Sequence, residues 1–133
     1  MSAEHEKKVT DFLNSWHAAD MGRSVEYLAD DVVYHNMPWE AVSGHAGVRQ
    51  ILDPVVHGDN NALVKMDITH TASSGNIVMN ERLETWALDE VRLELPVVGL
   101  FEFDAAGKIC RWNDYFDAKT SEAFMAAASK RQS

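Results

Sequence analysis

Arg82, Glu84 and Asp114 are the residue types of an acid–base centre. Side chains alternate between the two faces of a β-strand, so Arg82 and Glu84 share a face, and Asp114 shares one with aromatic neighbours. A carboxylate buried among aromatic rings is unfavourable unless it is paired, and the planar guanidinium of Arg82 can hold two carboxylates. Burial and mutual repulsion favour protonating one carboxyl of such a pair, which creates one acid and one base.

Polar side chains recur among large apolar ones on one face of three strand-like segments. The residues that share a face are Val32, Tyr34 and Asn36 in the first segment, Asn80, Arg82, Glu84 and Trp86 in the second, and Trp112, Asp114 and Phe116 in the third. Each set also fits a simpler interpretation. Arg82 and Glu84 would be a solvent-facing pair, Asp114 would cap a turn, and the polar groups near residue 34 would satisfy backbone groups at a strand end. Because the three sets would meet in one place, we favour an apolar pocket with a polar end.

Large apolar residues flank these polar ones and are predicted to line the pocket. They are Met37, Trp39, Trp86, Trp112 and Phe116. A pocket of this kind binds an apolar ligand that carries one polar group.

Helices dominate the first part of the predicted chain. Apolar residues at spacings of three and four predict a helix over 6–19. Ser24 is predicted to be the N-cap of a short second helix that includes Leu28 and ends at Asp30-Asp31, and a short strand over 32–36 follows. A loop over 38–44, a third helix over 45–56 and a turn over 57–61 complete this part.

Four long strands are predicted next, over 63–72, 77–88, 91–103 and 108–117, with turns between them. A terminal helix is predicted over 121–130. Helices followed by an antiparallel meander indicate an α+β fold in which helices cover one face of a curved sheet. We expect a cone-shaped domain that encloses a pocket.

Size, charge and hydropathy exclude several classes of function. The chain has 133 residues, the size of a single domain over 1–133, and a formal net charge of −9. This charge repels phosphate backbones and anionic membrane surfaces, so we expect no nucleic-acid or membrane partner. The N-terminus lacks the apolar core of a signal peptide, which predicts a cytoplasmic protein. The single cysteine, Cys110, is interpreted as a packing residue.

Motifs for a metal, a phosphate or a covalent nucleophile are absent from the sequence. The six histidines form no His-Glu-x-x-His pattern and no Cys/His cluster. There is no Gly-rich phosphate loop and no Gly-x-Ser-x-Gly turn. We therefore expect neither a metal nor a cofactor.

Five short motifs, in order, are similar to those of a known family. They are Tyr34-His35-Asn36-Met37-Pro38, Glu81-Arg82-Leu83-Glu84, Gly99-Leu100-Phe101-Glu102-Phe103, Gly107-Lys108-Ile109 and Trp112-Asn113-Asp114-Tyr115-Phe116-Asp117. Together they resemble the limonene-1,2-epoxide hydrolase family, within the NTF2-like and SnoaL-like group of cone-shaped domains. The similarity runs from the first helix to Asp117.

The resemblance implies cofactor-independent hydrolysis of a small lipophilic epoxide to a vicinal diol by one-step attack of water. It implies that Asp114 is the general base, that Tyr34 and Asn36 help to hold the water, and that Arg82 bridges two carboxyls. Glu84 stands where the family usually has an aspartate that protonates the epoxide oxygen. The resemblance also implies a homodimer through the outer sheet face.

Two other functions fit the same pocket. An isomerase or cyclase of the SnoaL or ketosteroid-isomerase type needs one carboxylate base and neutral donors to an enolate oxygen. The arginine beside both carboxyls disfavours it mildly, because a positive charge makes the base less basic. A non-catalytic binder of small apolar ligands needs the pocket but not Asp114.

Overall fold

A curved, six-stranded sheet forms the frame of the computed structural model, which describes residues 2–131. The strands are β1 (Leu28–Asn36), β2 (Val42–Ser43), β3 (Leu63–Ser74), β4 (Ile77–Leu88), β5 (Val91–Phe103) and β6 (Ile109–Tyr115). In the sheet order β2-β1-β6-β5-β4-β3, the last four strands of the chain form the predicted antiparallel meander. β1 extends the sheet by pairing in parallel with β6.

Helices cover one face of the sheet. Those in the described residues are α1 (Ser2–Ser15), α2 (Met21–Ser24), α3 (Gly44–Leu52) and α4 (Ala118–Ser129), with 3₁₀ turns at Trp16–Ala18, Val25–Tyr27 and Gly58–Asn60. α1 packs on β3 and β4 through Val9, Phe12 and Leu13, which are fully buried. α3 packs on β1, and α4 packs on β5. The predicted α+β fold class is therefore confirmed.

The start of the second helix differs from the prediction. Asp20 is the N-cap of α2, because its side chain accepts a hydrogen bond from the backbone N–H of Arg23. Ser24 precedes the 3₁₀ turn Val25–Tyr27, as predicted, but its side chain makes no capping hydrogen bond there. Ser24 is itself helical and buried, and its hydroxyl lies 2.7 Å from that of Ser15. The following strand begins already at Leu28, so the exposed pair at 30–31 lies within β1 instead of ending a helix.

The segment before the meander also differs in its bounds. The predicted loop over 38–44 contains the short strand β2, which pairs with β1. The third helix ends at Leu52 and not at 56. Pro54 explains this end, because proline has no N–H with which to continue the helical hydrogen bonds.

Burial alternates along β4 as the strand pattern predicted. Asn80, Arg82, Glu84 and Trp86 point inward and are buried, whereas Met79 and Glu81 are exposed on the outer face. The interpretation of Arg82 and Glu84 as a solvent-facing pair is therefore wrong. None of the helices described in residues 2–131 is long and apolar enough to cross a membrane.

Candidate active site

Arg82 lies at the centre of the site and is 1% exposed. Its Nε donates a hydrogen bond to Oε2 of Glu84 at 2.8 Å, and its Nη2 donates to Oδ2 of Asp114 at 2.7 Å. Its Nη1 donates to Oδ1 of Asn80 at 3.1 Å. The structure thus brings together the arginine and the two carboxyls that we expected at the polar end of one pocket. Asn80, a third partner of the guanidinium, had no predicted role.

Gly99 provides the space that Arg82 crosses to reach β6. In the sheet register Gly99 lies between Asn80 on β4 and Asp114 on β6. A Cβ atom at this position would lie 2.5 Å from Nη1 of Arg82 and 3.0 Å from Oδ1 of Asp114. Real Cβ atoms essentially never approach other heavy atoms as closely as the first of these distances, so only glycine fits here. The residue stands in one of the motifs of the sequence, but its spatial role depends on register.

We predict that Gly99→Ala displaces the guanidinium. Inserting a methyl group into a well-packed interior lowers the free energy of unfolding by about 1–3 kcal/mol, and here it also breaks the geometry of the carboxyl pair. Urea unfolding and turnover measurements on the variant check this. A variant with wild-type stability and wild-type turnover would contradict the close approach of Arg82 to Gly99.

An indole N–H supports each carboxyl from within its own strand. Trp112 donates from Nε1 to Oδ1 of Asp114 at 2.9 Å, and Trp86 donates from Nε1 to Oε1 of Glu84 at 3.0 Å. Both tryptophans lie two residues from the carboxyl that they contact, on the same face of the strand. Each carboxyl therefore has one oxygen bound to Arg82 and the other bound to an indole.

The charges of the site act on each other in a buried environment. Burial alone would lower the pKa of Arg82, but the negative charges of Asp114 and Glu84 and their hydrogen bonds raise it above its ordinary value. Arg82 therefore stays positively charged. Burial raises the pKa of Glu84; the charge of Arg82 opposes this rise, and the charge of Asp114 adds to it. Glu84 is thus protonated more readily than an ordinary glutamate.

This raised pKa of Glu84 makes the stability depend on pH. Between the ordinary glutamate pKa, about 4.3, and the raised value in the folded protein, the folded state binds more protons than the unfolded state. The free energy of unfolding therefore falls as the pH rises through this window. We predict that Glu84→Gln removes this fall. As the pH rises through the window, the free energy of unfolding of the variant should therefore increase relative to that of the wild type. Urea unfolding over a pH series measures the difference, and a pH-independent difference would contradict the assignment.

Tyr34 and Asn36 lie beside Asp114 at the end of β1. The parallel register pairs Asn36 with Asp114, and the backbone N–H of Met37 donates to the carbonyl oxygen of Asp114 at 2.9 Å. The Tyr34 ring is buried and stacks on Trp112 with ring centroids 3.7 Å apart. Burial, together with the charge of Asp114, raises the pKa of the Tyr34 phenol well above its ordinary value. The phenol therefore remains a hydrogen-bond donor.

A cavity of about 160 Å³ opens next to these groups. Its polar end is formed by Tyr34, Asn36, Glu84 and Asp114. The rest is largely apolar and comes from three elements that the sequence could not place around one space: α3 with Leu52, β5 with Leu95 and α4 with Phe124. The arrangement offers an apolar ligand one polar end at which an acid, a base and neutral donors meet.

The predicted pocket wall is right in part. Trp39, Trp86 and Phe116 line the cavity, and Trp39 contacts Phe116 edge to face. Met37 does not line it, because β1 ends at Asn36 and the Met37 side chain is 38% exposed. Trp112 points inward but is covered by Tyr34 and does not line the cavity either. Within residues 2–131, no group of three or more His, Cys, Asp or Glu side chains is placed to hold a metal ion.

Comparison with known proteins identifies the family. The model of the limonene-1,2-epoxide hydrolase catalytic domain matches residues 3–129. The chain belongs to the limonene-1,2-epoxide hydrolase family. The resemblance of the five motifs to the limonene-1,2-epoxide hydrolase family is thereby confirmed.

Relatives with known names agree with this assignment. The chain is 28% identical over 106 residues to the epoxide hydrolase EphG of Mycobacterium tuberculosis, which covers 80% of this chain and 68% of that protein. A solved LEH-like epoxide hydrolase from the same species has a TM-score of 0.76 at 25% identity, over 95% of this chain and 92% of the other. A SnoaL-like polyketide cyclase from Shewanella putrefaciens has a TM-score of 0.74 at 12% identity, over 92% of this chain and 96% of the other. At that identity the match to the cyclase shows the fold alone.

Proposed function

We propose that this protein hydrolyses a small lipophilic epoxide to a vicinal diol without a cofactor. Membership in the limonene-1,2-epoxide hydrolase family and the similarity to an epoxide hydrolase support the reaction class. The observation that carries the proposal is the bridge from Arg82 to Glu84 and Asp114 at the polar end of an apolar cavity.

The two carboxyls take opposite roles in this reaction. Asp114 removes a proton from water as the water oxygen attacks an epoxide carbon. The carbon–oxygen bond of the epoxide breaks, and its oxygen receives the proton of Glu84. Asp114 ends protonated and Glu84 ends ionised, so one proton must return to Glu84 before the next turnover. General acid and general base catalysis each contribute about 10²–10⁴-fold to the rate.

The environment of each group supports its role. Burial raises the pKa of Glu84, which favours the protonated form that the departing oxygen needs. Tyr34 and Asn36 line the same end of the cavity, where the phenol and the amide can hold the attacking water. The glutamate differs from the usual aspartate by one methylene, but it has the same chemistry and stays in contact with Arg82.

A panel of epoxides tests the proposal. Terpene, cycloalkene, styrene and fatty-acid epoxides are incubated with the protein, and diol is measured by chromatography against a protein-free control. Diol formation from at least one class, lost in Glu84→Gln, is the expected result. No diol from any class would overturn the proposal. Isomerisation of a steroid-like or polyketide-like carbonyl compound would then favour the isomerase, and ligand binding without turnover would favour the binder.

The homodimer and the cytoplasmic location stay predictions. The outer sheet face presents a half-exposed patch formed by Met79, Val98 and Tyr115 on three neighbouring strands. A second copy of the chain is the partner that we propose for this patch, because a two-fold interface pairs the same patch on both copies. Size-exclusion chromatography with light scattering should show a dimer that Val98→Arg dissociates, and a wild-type monomer would contradict it.

A further inference from the structure

Trp86 combines two contacts that make it more than a part of the cavity wall. It lines the cavity, and its Nε1 donates a hydrogen bond to Oε1 of Glu84 at 3.0 Å. The indole is buried and packs against Trp16 and Phe124, with ring centroids 6.3 Å and 5.7 Å away. Because this packing fixes the ring, the N–H of Trp86 is a donor of fixed direction.

The two oxygens of Glu84 have different partners. Oε2 accepts a hydrogen bond from the guanidinium of Arg82 at 2.8 Å, and Oε1 accepts one from the neutral indole. A cationic donor binds most strongly to an oxygen that carries no proton. The proton of a neutral Glu84 carboxyl therefore favours Oε1. An indole N–H donates but cannot accept, so the Oε1 proton has no acceptor on Trp86.

We propose that Trp86 is a positioning residue that holds Oε1 of Glu84 so that this oxygen carries the acid proton and delivers it into the cavity. This inference rests on the proposed function. In the step, the water oxygen bonds to an epoxide carbon as Asp114 takes a proton from that water. The bond from this carbon to the epoxide oxygen breaks, and the epoxide oxygen takes the proton of Glu84. Trp86 then donates to an ionised oxygen, a stronger hydrogen bond than that to the neutral acid. It therefore stabilises the charge that develops on Glu84.

The length of the Glu84 side chain gives this inference a sharp test. An aspartate at position 84 would be shorter by one carbon–carbon bond, about 1.5 Å. Unless the backbone moves, this shortening lengthens the 2.8 Å contact with Arg82 or the 3.0 Å contact with Trp86. Loss of the indole N–H should therefore affect the reaction in the glutamate protein and have little effect in Glu84→Asp.

The experiment measures kcat and KM over a pH series for wild type, Trp86→Phe, Glu84→Asp and the double variant. Trp86→Phe should lower kcat by about 10- to 100-fold, because small displacements of a catalytic group cost up to that much. The alkaline limb of the pH profile of kcat should move to higher pH in Trp86→Phe, because the lost donor no longer stabilises the Glu84 carboxylate. In the Glu84→Asp background the same change should alter kcat by less than about twofold, since the two groups are no longer coupled.

Trp16→Phe is the matched comparison. Trp16 belongs to the same cavity wall, and its Nε1 has no hydrogen-bond partner in the described part of the chain. In Trp16→Phe, the alkaline limb of the pH profile of kcat should stay at the wild-type pH. If Trp86→Phe does not fold, replacing Trp86 by 3-benzothienylalanine removes the N–H and keeps the ring size. If the wild-type protein hydrolyses the epoxide and the Trp86 variant has the same kcat and the same alkaline limb of its pH profile, this inference alone is overturned. If the wild-type protein forms no diol, both this inference and the proposed function are overturned.

Discussion

Asp114→Asn is expected to lower kcat for epoxide hydrolysis by about 10²–10⁴-fold, because an amide cannot take a proton from the attacking water. Asp114 is 4% exposed and accepts hydrogen bonds from Arg82 and Trp112 on its two oxygens. The amide keeps the size of the carboxyl but loses one of the two acceptors that face Arg82 and Trp112, so the shape of the cavity and binding of the diol should persist even if stability falls. Turnover of the best epoxide and binding of its diol are the two measurements.

Asp117→Asn is the matched control for this change. Asp117 lies three residues further along the chain, is exposed, and caps α4 by accepting a hydrogen bond from the backbone N–H of Lys119. Asparagine caps helices as well as aspartate does, so wild-type turnover is expected. Hydrolysis by Asp114→Asn at a rate close to that of Asp117→Asn would contradict the role of Asp114 as the base.

Arg82→Met is expected to lower the free energy of unfolding by about 3–5 kcal/mol, because removing one partner leaves buried charge without compensation. Glu84 and Asp114 would both lose their contact with the guanidinium. Part of the loss should be recovered in acid, since protonation then neutralises the stranded carboxyls. Urea unfolding at neutral and at acidic pH measures both effects.

Arg92→Met serves as the control for the loss of an arginine. Arg92 lies on β5, and its side chain is 62% exposed with only a 4.0 Å contact to Glu94. Removing an exposed pair of this kind changes stability by about 0–1 kcal/mol. If Arg82→Met and Arg92→Met had the same free energy of unfolding, the expected contribution of the buried bridge to stability would be contradicted.

Strand periodicity grouped residues by face correctly because alternation is a property of the local backbone. The rule put Arg82 and Glu84 on one face and Asp114 with its aromatic neighbours on another, but it did not decide which face is the inner one; the register of β4, β5 and β6 brings the three side chains together. Alternation does not show which side chains from other segments cover a residue. It therefore could not show that Trp112 is covered by the Tyr34 ring, or that Met37 turns outward after the last residue of β1.

Contacts between segments that are far apart in the sequence could not be predicted for the same reason. The need for glycine at position 99 appears only when Arg82 of the neighbouring strand is seen to cross it. The terminal helix was predicted from its sequence, but its place over the cavity, through Phe124, depends on tertiary packing. At the N-terminal side, Ser24 and Asp20 are both good cap residues, but only Asp20 makes a capping hydrogen bond, and the Ser24 hydroxyl contacts Ser15 instead.

Direct attack by water is the central claim, and one isotope measurement tests it. The protein, in excess over an epoxide of the active class, is mixed with substrate in ¹⁸O-labelled water, and the diol of the first turnover is analysed by mass spectrometry. If Asp114 activates water and Glu84 protonates the departing oxygen, the first diol carries one ¹⁸O atom. Unlabelled diol in the first turnover, with ¹⁸O found later in a carboxyl of the protein, would show a covalent ester intermediate and contradict the claim.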